Sequence, residues 1–284
     1  MAIVTGAGRG IGRAHALLLA ERGAAVVVND VGAATSGTGS SSAPADDVVA
    51  EITKAGGTAV ASYDSVAAAD GGRAITSTAI EAFGRVDVVI NNAGNAIPKP
   101  FLELSDDDLY SLADVHWLGS VRLCRAVWPY LVQQKYGRVI NTVSASMLGV
   151  PQWTGYGAVK GALLGFTKNL AAEGGPHGIG VNAIAPGAAT RMLADTAGST
   201  PPGALESMTA MMPPHLVAPA AAFLAHESCM LNGEVLAVAA GHVARIVLAQ
   251  TVGITDSDLT PEHIVDGLAT ILDTTQLTPW TIEV

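Results

Sequence analysis

Cysteine and basic side chains are both scarce in this chain, and each shortage removes a class of function. Only Cys124 and Cys229 occur, without paired spacing. They supply neither a disulfide framework nor a metal site, so a reducing, cytoplasmic setting is expected. The seven histidines are scattered, no His-x-x-x-His pair occurs, and no metal centre is expected. Lys and Arg number 15 against 25 Asp and Glu, giving a formal net charge of −10. That balance argues against nucleic acid and against anionic membrane surfaces as partners. No signal peptide, no internal repeat and no apolar run long enough to span a bilayer is visible. Met1 stands almost directly against the first apolar strand. A few residues usual ahead of such a strand are therefore expected to be missing.

What is present fits one large α/β domain over residues 1–284, since 49% of the chain is hydrophobic. Residues 2–4, 25–28, 58–61, 86–90, 138–141, 180–184 and 234–238 read as short strands buried on both faces. Helical segments lie between them at 11–22, 46–55, 67–83, 106–134 and 154–173. Strands alternating with helices of this length predict a doubly wound, seven-stranded parallel Rossmann-type sheet with helices on both faces. Residues 32–44, rich in Gly, Ser, Thr and Ala, read as a flexible surface loop.

Gly6, Gly10 and Gly12 follow the first strand and open a helix, in Thr5-Gly6-Ala7-Gly8-Arg9-Gly10-Ile11-Gly12. Backbone N–H groups and the helix dipole there can face a pyrophosphate. Asp30 ends the second strand, where a carboxylate accepts from adenosine ribose hydroxyls and repels a 2′-phosphate. No Lys or Arg occurs between Asp30 and Lys54, so NAD is favoured over NADP. Arg9 keeps the alternative open, because a basic residue in the glycine loop can touch a 2′-phosphate. Further on, Tyr156 and Lys160 stand four apart, on one face of a helix. A phenol titrates near pKa ~10. A neighbouring ammonium is expected to favour the phenolate and move that value toward the working range.

The Thr-Gly-x-x-x-Gly-x-Gly turn, Ser144, Tyr156 and Lys160 together resemble the short-chain dehydrogenase/reductase superfamily. That resemblance implies roles residue by residue. Ser144 holds the substrate oxygen, Tyr156 exchanges its proton, and Lys160 tunes Tyr156 and binds the nicotinamide ribose. Ser146 is an alternative to Ser144. Asp64, Ser65 and Asn91, with Ala93 and Gly94 of Asn91-Asn92-Ala93-Gly94, are assigned to cofactor binding, as are Arg9 and Ile11 of the glycine turn. Pro186, Gly187 and Thr190 match the segment that meets the nicotinamide carboxamide. The asparagine usual in the long fourth helix is replaced by His116, which either relays a proton or is a satisfied core residue.

His116 also narrows the resemblance, to the (3R)-hydroxyacyl-CoA dehydrogenase part of peroxisomal multifunctional enzymes type 2. The likeness runs through Val28-Asn29-Asp30, Tyr63-Asp64-Ser65-Val66, Val115-His116, Ser144-Ala145-Ser146 and Ile184-Ala185-Pro186. It continues in His226-Glu227-Ser228-Cys229, Ala240-Gly241 and Thr260-Pro261-Glu262. No hydratase or sterol-carrier segment follows, so a stand-alone, bacterial-style relative is implied. The resemblance implies 3-hydroxyacyl-CoA thioesters, with or without a steroid, as substrates. The alternatives are a free hydroxysteroid or other small secondary alcohol, and a nucleotide-binding regulatory protein without catalysis. Met147, Leu148 and Trp153 are expected to wall the substrate pocket. The segment 188–217, carrying Met192, Leu193, Met208, Met211 and Met212, reads as a lid, an oligomer contact or core.

A C-terminal helical extension is expected over residues 242–284. It comprises the apolar run 243–249 and a second helix capped by Thr260 and opened by Pro261. Ile264, Leu268, Ile271 and Leu272 would share one face of that helix, buried on the same subunit or across a homodimer or homotetramer interface.

Overall fold

Ile3, Val27, Val89, Val139 and Val181 stand in lateral register across five neighbouring strands, all buried on one face of a sheet. Their chain neighbours Val4, Val28, Ile90 and Ile140 form a second register on the opposite face. Strands with both faces apolar need cover on both sides, and the intervening helices supply it. The computed structural model describes residues 1–192, 207 and 210–280.

The first half runs β1 (Ala2–Thr5), α1 (Gly10–Glu21), β2 (Ala25–Asn29), α2 (Ala43–Lys54), β3 (Thr58–Ser62), α3 (Gly71–Phe83) and β4 (Val88–Asn91). The second runs α4 (Asp106–Leu112), α5 (Gly119–Gln134), β5 (Gly137–Thr142), α6 (Thr154–Gly174), β6 (Ile179–Gly187), α7 (Ala218–Ala225), β7 (Val235–Ala239) and β8 (His242–Ile246). The strands form one eight-stranded sheet in the order β3-β2-β1-β4-β5-β6-β7-β8. Ala16, Leu19, Val48, Ile52 and Leu224 of α1, α2 and α7 cover one face. Ile75, Leu123, Val127, Leu131 and Ala171 of α3, α5 and α6 cover the other. Strand order reverses between β1 and β4, which opens a crevice at the carboxyl ends of the strands.

Three elements depart from the sequence expectation. The sheet has an eighth strand, β8, antiparallel to β7, so the run 243–249 is not helical. Ala240 and Gly241 take positive φ of 50° and 78°, the geometry of a two-residue hairpin turn whose twist suits the flanking strands. Val243 and Ile246 are β-branched and fit the strand that follows. The helix expected over 106–134 is interrupted at Ala113–Leu118 by a wide turn, in which the Gly119 N–H reaches back five residues to the Asp114 carbonyl.

The tail helix begins as expected, with the Thr260 hydroxyl accepting from the His263 N–H at 3.2 Å. It stops at Gly267, leaving two short pieces, α8 (Pro261–Asp266) and α9 (Leu268–Ile271). Ile264 and Leu268 therefore do not share one continuous helical face. Two further strands, β9 (Ala249–Thr251) and β10 (Leu277–Pro279), pair only with each other. Leu248, Val252, Leu259, Ile264, Leu272 and Trp280 of the tail are exposed. Among the described residues no helix is long and apolar enough to cross a membrane.

One buried group on α1 is unsatisfied. His15 is 1% exposed, and neither ring nitrogen has a hydrogen-bond partner. Burial pushes its pKa from 6.5 down to about 4, so the folded chain refuses a proton that the unfolded chain binds. The stability tied to neutral His15 is present above the unfolded pKa and is lost as pH falls from 6.5 toward about 4. His15→Leu is expected to flatten that acid limb and to stabilise the protein by about 1–3 kcal/mol at neutral pH, by removing two orphaned polar atoms. Urea unfolding at pH 7 and pH 5 checks both points. A lower midpoint in the variant at neutral pH, with an unchanged pH slope, would contradict them.

Candidate active site

The crevice between β1 and β4 is a cleft of about 820 Å³ that runs past the glycine turn to Tyr156. Its floor depends on a clamp between the two strand ends. The Thr5 hydroxyl accepts from the N–H groups of Asn92 and Ala93, each at 3.0 Å. The Asn92 side chain donates to the carbonyls of Thr5 at 2.9 Å and Gly6 at 3.2 Å. Gly6 and Gly10 need positive φ, 62° and 55°. A Cβ at Gly12 would lie 2.2 Å from the Gly6 carbonyl oxygen, so only glycine lets α1 start this close to the turn. Arg9 precedes α1 without a side-chain cap, and no acidic residue occupies the first turn. The leading N–H groups of α1 are thus left for an outside anion, and the lining by Gly6, Gly10, Ile11 and Gly12 fits a dinucleotide pyrophosphate.

Asp30 lines the cleft and is aimed by backbone: its carboxylate accepts from the Gly8 N–H at 2.8 Å and the Gly32 N–H at 2.7 Å. Asp64 and Ser65 line it too, with the Ser62 hydroxyl donating to Asp64 at 3.1 Å. The loop over residues 32–44 lies largely at the surface, as expected, and its first part also borders the cleft. Ala33, Ala34, Thr35 and Gly37 border the cleft, and the Thr35 carbonyl accepts from the Ala96 N–H at 3.1 Å. Arg9 donates to the Ala33 carbonyl at 3.3 Å, which ties the glycine turn to this loop.

At the far end stand Ser144, Tyr156, Lys160 and His116, all in the lining. Ser144 lies two residues beyond β5 and caps a short helical turn (Ala145–Leu148). Tyr156 and Lys160 lie one turn apart on α6. The Lys160 ammonium donates to the Thr142 carbonyl and sits 5.4 Å from the centre of the Tyr156 ring. The expected lowering of the phenol pKa is not found in this state. Burial pushes Tyr156 up to about 12, while hydrogen bonding with Ser144 pulls the other way. Burial likewise pushes Lys160 down to about 7. Both charged forms lose water on burial, and that loss is the leading influence on each.

The wide turn carries His116 into this group. Its ring meets Tyr156 edge-on, centroids 5.2 Å apart and planes at 85°. Nε2 lies 2.8 Å from the Asn95 carbonyl and 3.2 Å from the Asn95 N–H, while buried Nδ1 has no partner. Burial, then the charge of Lys160, holds the His116 pKa well below the ordinary imidazole range. Trp153 packs edge-on against Tyr156 from another side, at 5.0 Å.

Pro186, Gly187, Thr190, Ala93, Gly94 and Met192 also line the cleft. Three expected residues do not, and Leu148, the first of them, is exposed to solvent. The Asn91 side chain turns into the core, donating to Asn141 at 2.8 Å and to the Cys124 sulfur at 3.3 Å. Met147 packs beside the buried Val143 and Leu163 rather than against the cleft. Leu193 and Met208 lie outside the described residues. Met212 joins the lining, whereas Met211 is exposed. Asn92, Asn95 and Thr142 were not singled out from sequence. Asn92 had a signal, as the second member of the Asn-Asn pair at a strand end.

Gly94 and His116 form a matched pair, since a Cβ at Gly94 would meet His116 Cε1 at 2.5 Å. Gly94→Ala is expected to cost about 1–3 kcal/mol and to impair turnover by displacing the imidazole. In the Gly94→Ala/His116→Ala double variant the stability loss from the alanine at 94 should largely vanish. Thermal melts of the four proteins in the cycle test this, and additive losses would refute the pairing.

The family described as short chain dehydrogenase matches residues 1–200. Peroxisomal multifunctional enzyme type 2 of Mus musculus is 42% identical over 276 residues, covering 95% of this chain and 36% of that enzyme. This chain thus spans about a third of that relative's length. A short chain dehydrogenase structure from Mycobacterium avium superposes with a TM-score of 0.79 at 34% identity, covering 95% of this chain and 94% of the other. A 7α-hydroxysteroid dehydrogenase complexed with NADH and 7-oxo glycochenodeoxycholic acid gives a TM-score of 0.75 at 30% identity, covering 84% of this chain and 92% of the other. With the dinucleotide cleft and the Ser144, Tyr156 and Lys160 cluster in one crevice, these likenesses make the chain an oxidoreductase that belongs to the short-chain dehydrogenase/reductase family, whose members use nicotinamide cofactors.

Proposed function

We propose that this enzyme is an NAD-dependent dehydrogenase interconverting a secondary alcohol and a ketone, with 3-hydroxyacyl-CoA thioesters as the substrate class. The convergence of Ser144, Tyr156 and His116 on the cleft bordered by Asp30 carries the reading. Asp30 supports NAD, because a fixed carboxylate at the end of β2 repels a 2′-phosphate and accepts from free ribose hydroxyls. Arg9, the cation of the glycine turn, is engaged with the Ala33 carbonyl. NAD supplies the hydride-accepting ring.

In this reading the chain's own side chains hold the substrate and move its proton. Ser144 donates to the substrate oxygen, and Tyr156 takes the alcohol proton in oxidation and returns it in reduction. Lys160, kept from water, is a compact charge that stabilises the phenolate once the cleft is filled. His116, which packs against Tyr156 with its Nδ1 buried and unpartnered, is the group assigned to a relayed proton. Asp64, Ser65, Ala93, Gly94, Pro186, Gly187 and Thr190 are assigned to the cofactor, and Trp153 and Met192 to the substrate.

Similarity to peroxisomal multifunctional enzyme type 2 over 95% of the chain favours a hydroxyacyl-CoA. Apolar lining by Val150, Trp153, Met192 and Met212 suits an acyl chain. A free hydroxysteroid is the second reading, favoured by the likeness to the 7α-hydroxysteroid dehydrogenase. We further assign the exposed apolar tail to a homodimer or homotetramer interface, as an extension of the same catalytic domain, and place the enzyme in the cytosol on its cysteine usage.

Tyr156→Phe is expected to lower kcat by at least about 10²-fold while NADH still binds, measured by turnover and by cofactor fluorescence. Wild-type rates in that variant would remove Tyr156 as the proton carrier. Asp30→Ala should narrow the NAD over NADP preference in kcat/KM. A wild type that already prefers NADP, and is indifferent to the change, would refute the cofactor assignment. Deleting residues 248–284, which spares β8, should dissociate the oligomer and lower activity on long acyl-CoAs. Native mass by light scattering together with full long-chain activity would show that the tail has neither role.

A further inference from the structure

Ser144 accepts more hydrogen bonds than the end of a short helical turn requires. Its hydroxyl oxygen accepts from the Ser146 N–H at 3.2 Å and from the Ser146 hydroxyl at 3.0 Å. The first of these is an ordinary cap, in which a side-chain oxygen satisfies an orphan N–H at the start of the turn. The second has no capping role. It comes from a side chain that itself lines the cleft, two residues from the group it touches. A serine hydroxyl has two acceptor lone pairs and one hydrogen. With Ser146 occupying both lone pairs, the Ser144 oxygen has no capacity left to accept, and its hydrogen is the one function still free.

We propose that Ser146 is a positioning residue that commits Ser144 to donate, directing the Ser144 hydrogen to whichever oxygen in the cleft carries negative charge. In reduction that oxygen is the substrate carbonyl; in oxidation it is the Tyr156 phenolate. The inference rests on the proposed roles of Ser144 and Tyr156. The Ser144 O–H bond stays intact throughout, and the proton that moves is the alcohol's own, passing to Tyr156. Fixing a donor in advance matters most where charge develops out of water, because no reorganisation is then needed as the reaction proceeds. An uncommitted serine could instead rotate and accept from neutral Tyr156, which would stabilise the protonated phenol. The surroundings make that alternative damaging. Burial already drives the Tyr156 pKa to about 12, and hydrogen bonding with Ser144 is the influence opposing it.

The test compares wild type with Ser146→Ala and Ser146→Thr, each with and without Tyr156→Phe. Two quantities are read: the pH profile of kcat/KM for oxidation of a secondary alcohol with NAD, and the ultraviolet phenolate titration assigned to Tyr156 by difference. Ser146→Ala should move both the rate limb and the Tyr156 titration to higher pH by about one unit, with kcat down about tenfold and KM changed by less than about twofold. Ser146→Thr, which keeps the hydroxyl, should restore both. If Ser146→Ala does not fold, Ser146→Cys puts a weaker donor in the same space and should show a smaller shift in the same direction. Unmoved titration and rate limb in a folded Ser146→Ala or Ser146→Cys protein, with Tyr156→Phe inactive, would overturn this inference alone. A Tyr156→Phe enzyme that still turns over would overturn the proton-carrier reading, and this inference with it.

Discussion

The exchange of hydrogen bonds between Thr5 and Asn92 is the constraint on which the cleft depends. It joins β1 to β4 where strand order reverses, the one place where two crossover connections leave in opposite directions. By holding the Thr5 and Gly6 carbonyls, it fixes the glycine turn, and through that turn the start of α1. The glycine at position 12 then becomes obligatory, since any side chain would meet the Gly6 carbonyl. On the β4 side the same clamp sets the path of residues 93–96. Gly94 touches the His116 ring, Asn95 holds its nitrogen, and Ala96 holds the loop at Thr35. The glycine turn and the buried His116 thus share one foundation.

Desolvation dominates the electrostatics of the cluster at the far end of the cleft. Tyr156, Lys160 and His116 are all pushed toward their neutral forms, chiefly by burial. Three buried groups poised against charge are costly to the fold and responsive to whatever fills the cleft. A ligand that brings its own charge or hydrogen bonds acts on groups whose protonation is strongly coupled to their surroundings. This arrangement suits acid–base chemistry better than simple retention of a ligand.

The parallel part of the fold was legible because its signal is local. Strands such as 25–28 and 138–141 are apolar on both faces, and glycines and turns mark the helices between them. The parts that were not legible depend on partners far along the chain. Ala240-Gly241 carries no Asn-Gly or Asp-Gly signature, so the hairpin to β8 was hidden, and the apolar run after it read equally well as a helix. Residues 32–44 read as a surface loop, and nothing in their composition marks Thr35 as the residue that meets Ala96. Adjacent residues at a strand end point to opposite sides, so choosing between Asn91 and Asn92 needed the register of β4 against β5. Type and spacing marked the residues that the fold brings together at the end of the cleft, but not the direction of the Tyr156 shift, because burial is a property of the assembled fold.

The wide turn at Ala113–Leu118 acts on length rather than on composition. It places one surplus residue between two regular helices, and the Ser120 hydroxyl bonds the His116 carbonyl there at 2.6 Å. In a regular helix each residue turns the chain by roughly 100°, so losing or gaining one residue here would rotate His116 away from Tyr156 or swing Leu123, Val127 and Leu131 out of the core. The constraint falls on the residue count of this turn more than on the identity of its exposed side chains. In a lineage of such enzymes, insertions and deletions should be purged from these six positions even where substitutions accumulate.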